Sequence, residues 1–276
     1  MNLRAPAAVV GSNDPNARKL LALAHQHGAE LRSRFVWPQL AKRHVFTMVA
    51  DQESYPLPVD YERQIPDTHW TLQNRWKMPL IEATQWQAIK SSLIATVERE
   101  RIKFEGVLDN QIYIDPTPSA SNAGQDLTFY YLSKNWIRPK MWVSGTAYSS
   151  NDVVWYNGNV YLVVASGTAG ATAPVHTTGT ESDGVLDLTY QALSDWDTFR
   201  SDLDVPLLDS NLIGLGVQYK YLQSSGYEFA PALKDYEDHL SRVVSDLGGD
   251  PVINATKRLS PYYLAYGSVP DGSWSM

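Results

Sequence analysis

The sequence predicts an α+β protein: a helical core, built from a long N-terminal helix and a C-terminal helix pair, with a small antiparallel β-sheet and an inserted small all-β module. Three observations carry this expectation. Apolar residues recur at helical spacing over residues 15–35 and again after residue 204. Short β-type runs fill much of the stretch from Val45 to Leu132. Between Lys140 and Arg200 lysine and arginine vanish while Gly, Ser, Thr, Tyr and Val crowd in, which marks a separate segment.

The first helix is predicted from Pro15 to Phe35. Asp14 can cap it, Pro15 sits where a first-turn proline is tolerated, and Trp37-Pro38 ends it. Leu20, Leu23, Ala24, Leu31 and Phe35 give it one apolar stripe. A strand at Val45–Val49 follows, then an extended, proline-punctuated run from Tyr55 to Tyr61 and a short helix from Glu82 to Lys90. Strands are expected at Val97–Phe104, Gln111–Ile114 and Asp126–Leu132, with Asp109-Asn110 turning the first pair. In the inserted segment, Val153–Tyr156 and Val160–Val164 flank Asn157-Gly158-Asn159, a strong hairpin signal. A helix starting at Asp204 with Pro206 and running to Gln223 is broken by Gly226. The last helix begins near Pro231, puts Leu233, Tyr236, Leu240, Val243 and Leu247 on one side, and stops at Gly248-Gly249. The expected organisation is therefore a core over residues 1–140 and 199–250, an insertion over 141–198, and an extended arm over 251–276.

Composition narrows the functional classes. With 276 residues, 43% hydrophobic and 19% charged, the chain is long and apolar enough for a real core. The absence of cysteine excludes disulfides, zinc–thiolate sites and thiol catalysis, and fits assembly in a reducing cytoplasm. The first residues make a poor signal peptide, and no run approaches the ~18 apolar residues of a membrane span. A net charge of −7 argues against a protein that grips DNA tightly, because phosphate neutralisation dominates such binding.

Several motifs then bear a resemblance. In order they are Phe35-Val36-Trp37-Pro38-Gln39-Leu40, Tyr55-Pro56-Leu57-Pro58-Val59-Asp60-Tyr61-Glu62-Arg63 and Thr68-His69-Trp70. Arg75-Trp76-Lys77-Met78-Pro79-Leu80 and Gln85-Trp86-Gln87-Ala88-Ile89-Lys90 follow, and after the insertion Asp204–Leu208, Leu212–Val217, Tyr227–Ala230 and Asp235-Tyr236-Glu237. Together these segments, covering about residues 15–140 and 197–250, resemble the head-to-tail adaptor family of short-tailed bacteriophages. The insertion, through Ala147-Tyr148, Asp152–Val154, Tyr156–Tyr161, Gly167–Pro174 and Asp183-Gly184, is similar to small chitin-binding-type modules.

The adaptor resemblance implies a non-enzymatic virion protein, assembled in the host cytoplasm and located at the head–tail interface. Copies would form a ring, dodecameric as is typical of that family, under the portal protein. The ring would extend the DNA channel, let DNA pass without specific binding, and meet the tail nozzle or hub and tail fibre proteins. The aromatic, proline-broken tail nominates Tyr262, Tyr263, Tyr266 and Trp274 as portal-docking anchors. The module resemblance implies an alternative, a tail-associated carbohydrate-binding protein using Tyr148, Trp155, Tyr156 and Tyr161, since sugars stack on exposed aromatic faces. A hydrolase with an appended binding module is the third possibility.

No cofactor, metal or catalytic set is expected. His25 and His27 differ by two on a helix and face different directions, and the remaining histidines, His44, His69, His176 and His239, show no metal-ligand spacing. Glu98 and Glu100 could form a carboxylate pair, but they interleave with Arg99, Arg101 and Lys103, which suits a solvated or inter-subunit charged strand and not the two carboxylates across a cleft that glycoside hydrolysis needs. Gly214-Leu215-Gly216 lies within a helix and serves close packing, not phosphate binding.

Overall fold

Helix α1 (Pro15–Arg34) begins where Asp14 accepts a hydrogen bond from the Asn16 N–H, and Pro15 occupies its first turn. It ends at Phe35 in extended backbone, ahead of a single 3₁₀ turn at Pro38–Leu40. Trp37, fully buried, donates its indole N–H to the Leu31 carbonyl at 2.6 Å and so locks the exit of the helix. The computed structural model describes residues 8–91, 100–105, 110–183, 185–191 and 196–247.

Seven strands and one helix follow: β1 (Ala41–Thr47), β2 (Ser54–Pro56), β3 (Tyr61–Gln64), β4 (Trp70–Thr71), α2 (Ala83–Lys90), β5 (Arg101–Glu105), β6 (Gln111–Asp115) and β7 (Asp126–Ser133). They form two antiparallel sheets, β1-β7-β3 with β4 also on β7, and β2-β6-β5. Alternation along β7 sends Leu127, Phe129 and Tyr131 into a core shared with Ile102, Ile112 and Ile114 of the second sheet. The first sheet starts earlier than Val45, because Ala41–Phe46 find partners on β7 that only the tertiary structure supplies. The strand expected at Val97–Phe104 is observed as Arg101–Glu105, its residues 97–99 lying outside the described ones, as does Asp109 of the predicted turn.

The insertion is entered by β8 (Ile137–Arg138) and β9 (Lys140–Met141). Then come β10 (Ala147–Tyr148), β11 (Val153–Tyr156), β12 (Asn159–Val163), β13 (Gly167–Thr168), β14 (Thr180–Ser182) and β15 (Asp187–Gln191). A sheet of order β14-β15-β12-β11-β9 covers its own core of Trp142, Tyr148, Val154, Tyr161, Val163 and Leu188, with Leu186 and Ala169 completing it. Asn157 and Gly158 both adopt positive φ, +46° and +89°, as the two-residue turn between β11 and β12 requires.

The chain returns through β16 (Val205–Pro206), which pairs with β8, and not through the helix predicted to start at Asp204. Helix α3 (Ser210–Ser224) begins only where the Asp209 carboxylate accepts the Leu212 N–H at 2.7 Å. Proline is tolerated in this two-residue strand as it is at a helix start, so local signals could not separate the two outcomes. Gly226, at φ +72°, turns the chain into α4 (Ala230–Asp246). The predicted stop at Gly248-Gly249 lies outside the described residues. The chain divides into a unit of residues 1–236 and a second unit from Glu237; in the latter, Arg242 and Ser245 hydrogen-bond back to the helix carbonyls of Asp238 and Ser241.

Within the first unit α1 packs on α3 through small residues. The buried face of α1 is Ala17, His27, Gly28 and Leu31; of the predicted stripe only Leu31 lies on it, while Leu20, Leu23, Ala24 and Phe35 are half-buried. The His27 ring fits against Gly216, and Trp136, fully buried, fits against Gly28. Tyr219 and Tyr236 meet His27 edge-on, at ring-centroid distances of 6.1 and 5.1 Å. Burial and the nearby Lys220 ammonium push the His27 imidazole down to about 4, so it is neutral near pH 7.

Candidate functional site

The four aromatics nominated for sugar stacking do not form one platform. Tyr148 is buried: its hydroxyl accepts the Val143 N–H at 2.8 Å and donates to the Met141 carbonyl at 3.3 Å. Tyr161 is fully buried and donates to the His176 carbonyl at 2.9 Å. Neither ring presents a face to a ligand, which corrects the expectation for both. The cause is size, since a module of some 50 residues fills its core with the aromatics it has.

Trp155 and Tyr156 are half-exposed. The Arg138 guanidinium lies 5.0 Å from the Trp155 ring centroid, and Tyr156 meets Trp142 edge-on at 5.6 Å. One face of Trp155 is thus already taken by a cation–π contact. Beside it Lys140 lies 4.7 Å from the Tyr148 ring centroid and pairs with Asp152 at 2.7 Å. Burial pushes the Asp152 carboxyl up, but hydrogen bonds from Lys140 and the Ser149 N–H, with the Lys140 charge, hold it below the usual range.

The feet of the insertion are fastened by hydrogen bonds. Trp196 N–H donates to the Asn135 side chain at 2.9 Å, and Ile137 N–H to the Trp196 carbonyl at 3.1 Å. The Trp136 indole donates to the Asp197 carbonyl at 2.8 Å, and Leu207 N–H to the Trp136 carbonyl at 2.8 Å. β8 pairs with β16 outside the module, while β9, one residue further on, pairs in parallel with β11 inside it. A side-chain clamp and a shared strand path therefore mount the module on its support. Asp183 closes the far loop by accepting the N–H groups of Gly170, Val185 and Leu186 at 2.8, 3.1 and 2.7 Å.

Two further features carry chemistry that the sequence reading missed. Asp60, buried next to β3, accepts hydrogen bonds from Lys42, the Tyr131 hydroxyl and Ser133 at 2.5, 2.8 and 2.7 Å. Burial pushes its carboxyl up, yet the Lys42 and Ser133 hydrogen bonds, the Lys42 charge and Tyr131 hold it below the usual range. An apolar groove of about 340 Å³ runs between α1 and α3, lined by Leu20, Leu21, Ala24 and Val217 and flanked by Val9 and Val10. Asp202 pins that flank by accepting both the Val9 and Val10 N–H groups. Asp60 appeared in the sequence only as part of a proline-rich motif, and Asp202 had no local signal.

Tyr262, Tyr263, Tyr266 and Trp274 lie outside the described residues, as does Glu98; Glu100 accepts from the Asn122 side chain. Among the described residues no group of three or more His, Asp or Glu side chains could hold a metal, and no helix is long and apolar enough to cross a membrane. No model of a known protein family matches the chain, and no curated protein matches it.

Proposed function

We propose that this chain is a structural subunit of a short-tailed phage particle, a head-to-tail adaptor that forms a ring under the portal and extends the DNA channel toward the tail nozzle or hub. The observation that carries the proposal is the ordered set of motifs from Phe35 to Lys90 and from Asp204 to Glu237, which resembles that family on both sides of the insertion. Three of the motifs have identifiable structural places: Trp37 closes α1, Asp60 anchors β3, and Leu212–Val217 lies in α3. A ring needs heterologous contacts that close on themselves. The acidic balance of the chain, −7, favours a channel in which DNA slides. On this reading the insertion is a fixed ornament, and the aromatic tail docks on the portal.

Electron microscopy of the purified chain with and without portal protein tests the proposal. Rings seated on the portal are expected. Portal preparations that never acquire density at saturating chain would refute it. Removing residues 260–276 should abolish attachment, and unchanged binding by that truncation would refute the docking arm alone.

A further inference from the structure

The sheet that carries β7 has one face in the core and one outside. Register places Val45, Thr128 and Trp70 side by side across β1, β7 and β4, on the face opposite Leu127, Phe129 and Tyr131. Tyr130 lies two residues along β7 on that same outer face. Leu72 follows Trp70 with its N–H on the Asp126 carbonyl. Val45, Trp70, Leu72 and Tyr130 are all exposed, at 42%, 39%, 40% and 45%. Three of these large apolar side chains stand on neighbouring strands and the fourth, Leu72, on the turn that follows β4, an exposed apolar surface of the kind that marks an interaction site. Its surroundings are basic on balance. Arg43 shares the face and reaches Thr128, and Arg75 is exposed in the turn after β4. The acid on this face, Asp126, is bonded to Thr47 and Gln73.

A second exposed surface has the opposite sign. The segment Asp202-Leu203-Asp204-Val205 alternates acid and apolar side chains, with Leu203 and Val205 exposed at 56% and 40%. Both carboxylates are held by backbone donors, Asp202 by Val9 and Val10, and Asp204 by Arg200 and Ser201. Those bonds fix the segment while leaving each negative charge in place. The neighbouring Arg200 guanidinium lies over the Trp196 ring, 4.7 Å from its centroid.

We infer that the outer sheet face around Trp70 in one copy receives the 202–205 segment of the next copy, a head-to-tail contact between two different surfaces of the same chain. Charge selects this occupant. An acidic-apolar segment matches a basic-rimmed apolar face, whereas face against face would oppose Arg43 and Arg75 to themselves. Two unlike patches are also what a heterologous contact requires. The inference rests on the adaptor reading and names the surfaces that would join the ring.

The test uses two full-length variants, Trp70→Asp and Leu203→Asp, each spoiling one surface, with circular dichroism and melting to show that both remain folded. Oligomer size is read by light scattering on a sizing column, and rings by electron microscopy on the portal. Each variant alone should stay monomeric where the wild-type chain assembles, with association weakened at least 100-fold. An equimolar mixture should give a 1:1 dimer and nothing larger, because one intact contact remains per pair. Should either substitution unfold the chain, Leu72→Lys and Val205→Lys replace them. Rings formed by both single variants as by wild type would overturn this assignment and leave the adaptor reading standing. A mixture that fails to pair overturns it as well. A 1:1 dimer in the mixture, with no wild-type ring on the portal, would uphold the contact and overturn the adaptor reading.

Discussion

Two glycines two residues apart in α3, Gly214 and Gly216, should respond to alanine with opposite signs. A Cβ on Gly216 would lie 1.8 Å from Nε2 of His27, 2.2 Å from Cδ2 and 2.4 Å from Cε1. Carbon atoms in contact sit about 3.5–4 Å apart, so the ring would have to retreat by more than 1 Å. His27 is 1% exposed and wedged between Tyr219 and Tyr236, which leaves it little room. Overpacking of this kind costs about 1–3 kcal/mol, against which the helix gains only about 0.5–1 kcal/mol from replacing glycine. The net expectation for Gly216→Ala is a loss of about 1–2 kcal/mol. At Gly214 nothing lies within 4 Å of the added Cβ, so Gly214→Ala should stabilise by about 0.5–1 kcal/mol. Urea unfolding followed by far-ultraviolet circular dichroism reads both. The double variant His27→Ala/Gly216→Ala adds a check, since without the ring the Gly216 substitution should no longer destabilise. Equal effects at the two glycines, or the same penalty with and without the His27 ring, would refute the packing described for α1 and α3.

Stability should also fall on acidification. Burial lowers both His27 and His69 to about 4, against 6.5 in the unfolded chain. Their depressed values mean that the unfolded state binds more protons across that window. The contribution is present above pH 6.5 and lost as pH falls through 4, about 3 kcal/mol for each group. Urea midpoints measured from pH 7 to pH 4 check it, and His27→Gln should flatten the slope. Asp60→Ala removes the acceptor shared by Lys42, Tyr131 and Ser133 and should cost about 3 kcal/mol, read as a lowered melting temperature. Asp183→Ala leaves three backbone N–H groups without their acceptor. It should raise hydrogen exchange across residues 167–191 while leaving α1 protected, and a uniform rise over the whole first unit would contradict that localisation.

Features legible in the sequence share one property: their partners are near in the chain. Asp14 with Pro15, the Asn157-Gly158 turn, α2 and the helix break at Gly226 were all found from residues within a few positions. The candidate site was less legible. Tyr148 and Tyr161 carry the same aromatic signal as Trp155 and Tyr156, and nothing in their immediate neighbours says which side of the module sheet turns inward. Trp155 could be located on a strand, but Arg138, 17 positions earlier, could not be placed over its ring.

The sequence by itself determined the α+β class, the long first helix and the Asn157-Gly158 hairpin, because propensity, capping and turn chemistry act over a few residues. Tertiary structure alone decided that Val205–Pro206 pairs with Ile137–Arg138 instead of opening α3. It also decided that His27 is the centre of α1's buried face, and that Trp70 and Tyr130 share an outer sheet surface. Those outcomes depend on partners far away in the chain, 69 positions for Ile137 with Pro206 and 189 for His27 with Gly216. Burial and pairing at such separations are properties of the assembled chain, and no window along the sequence contains them.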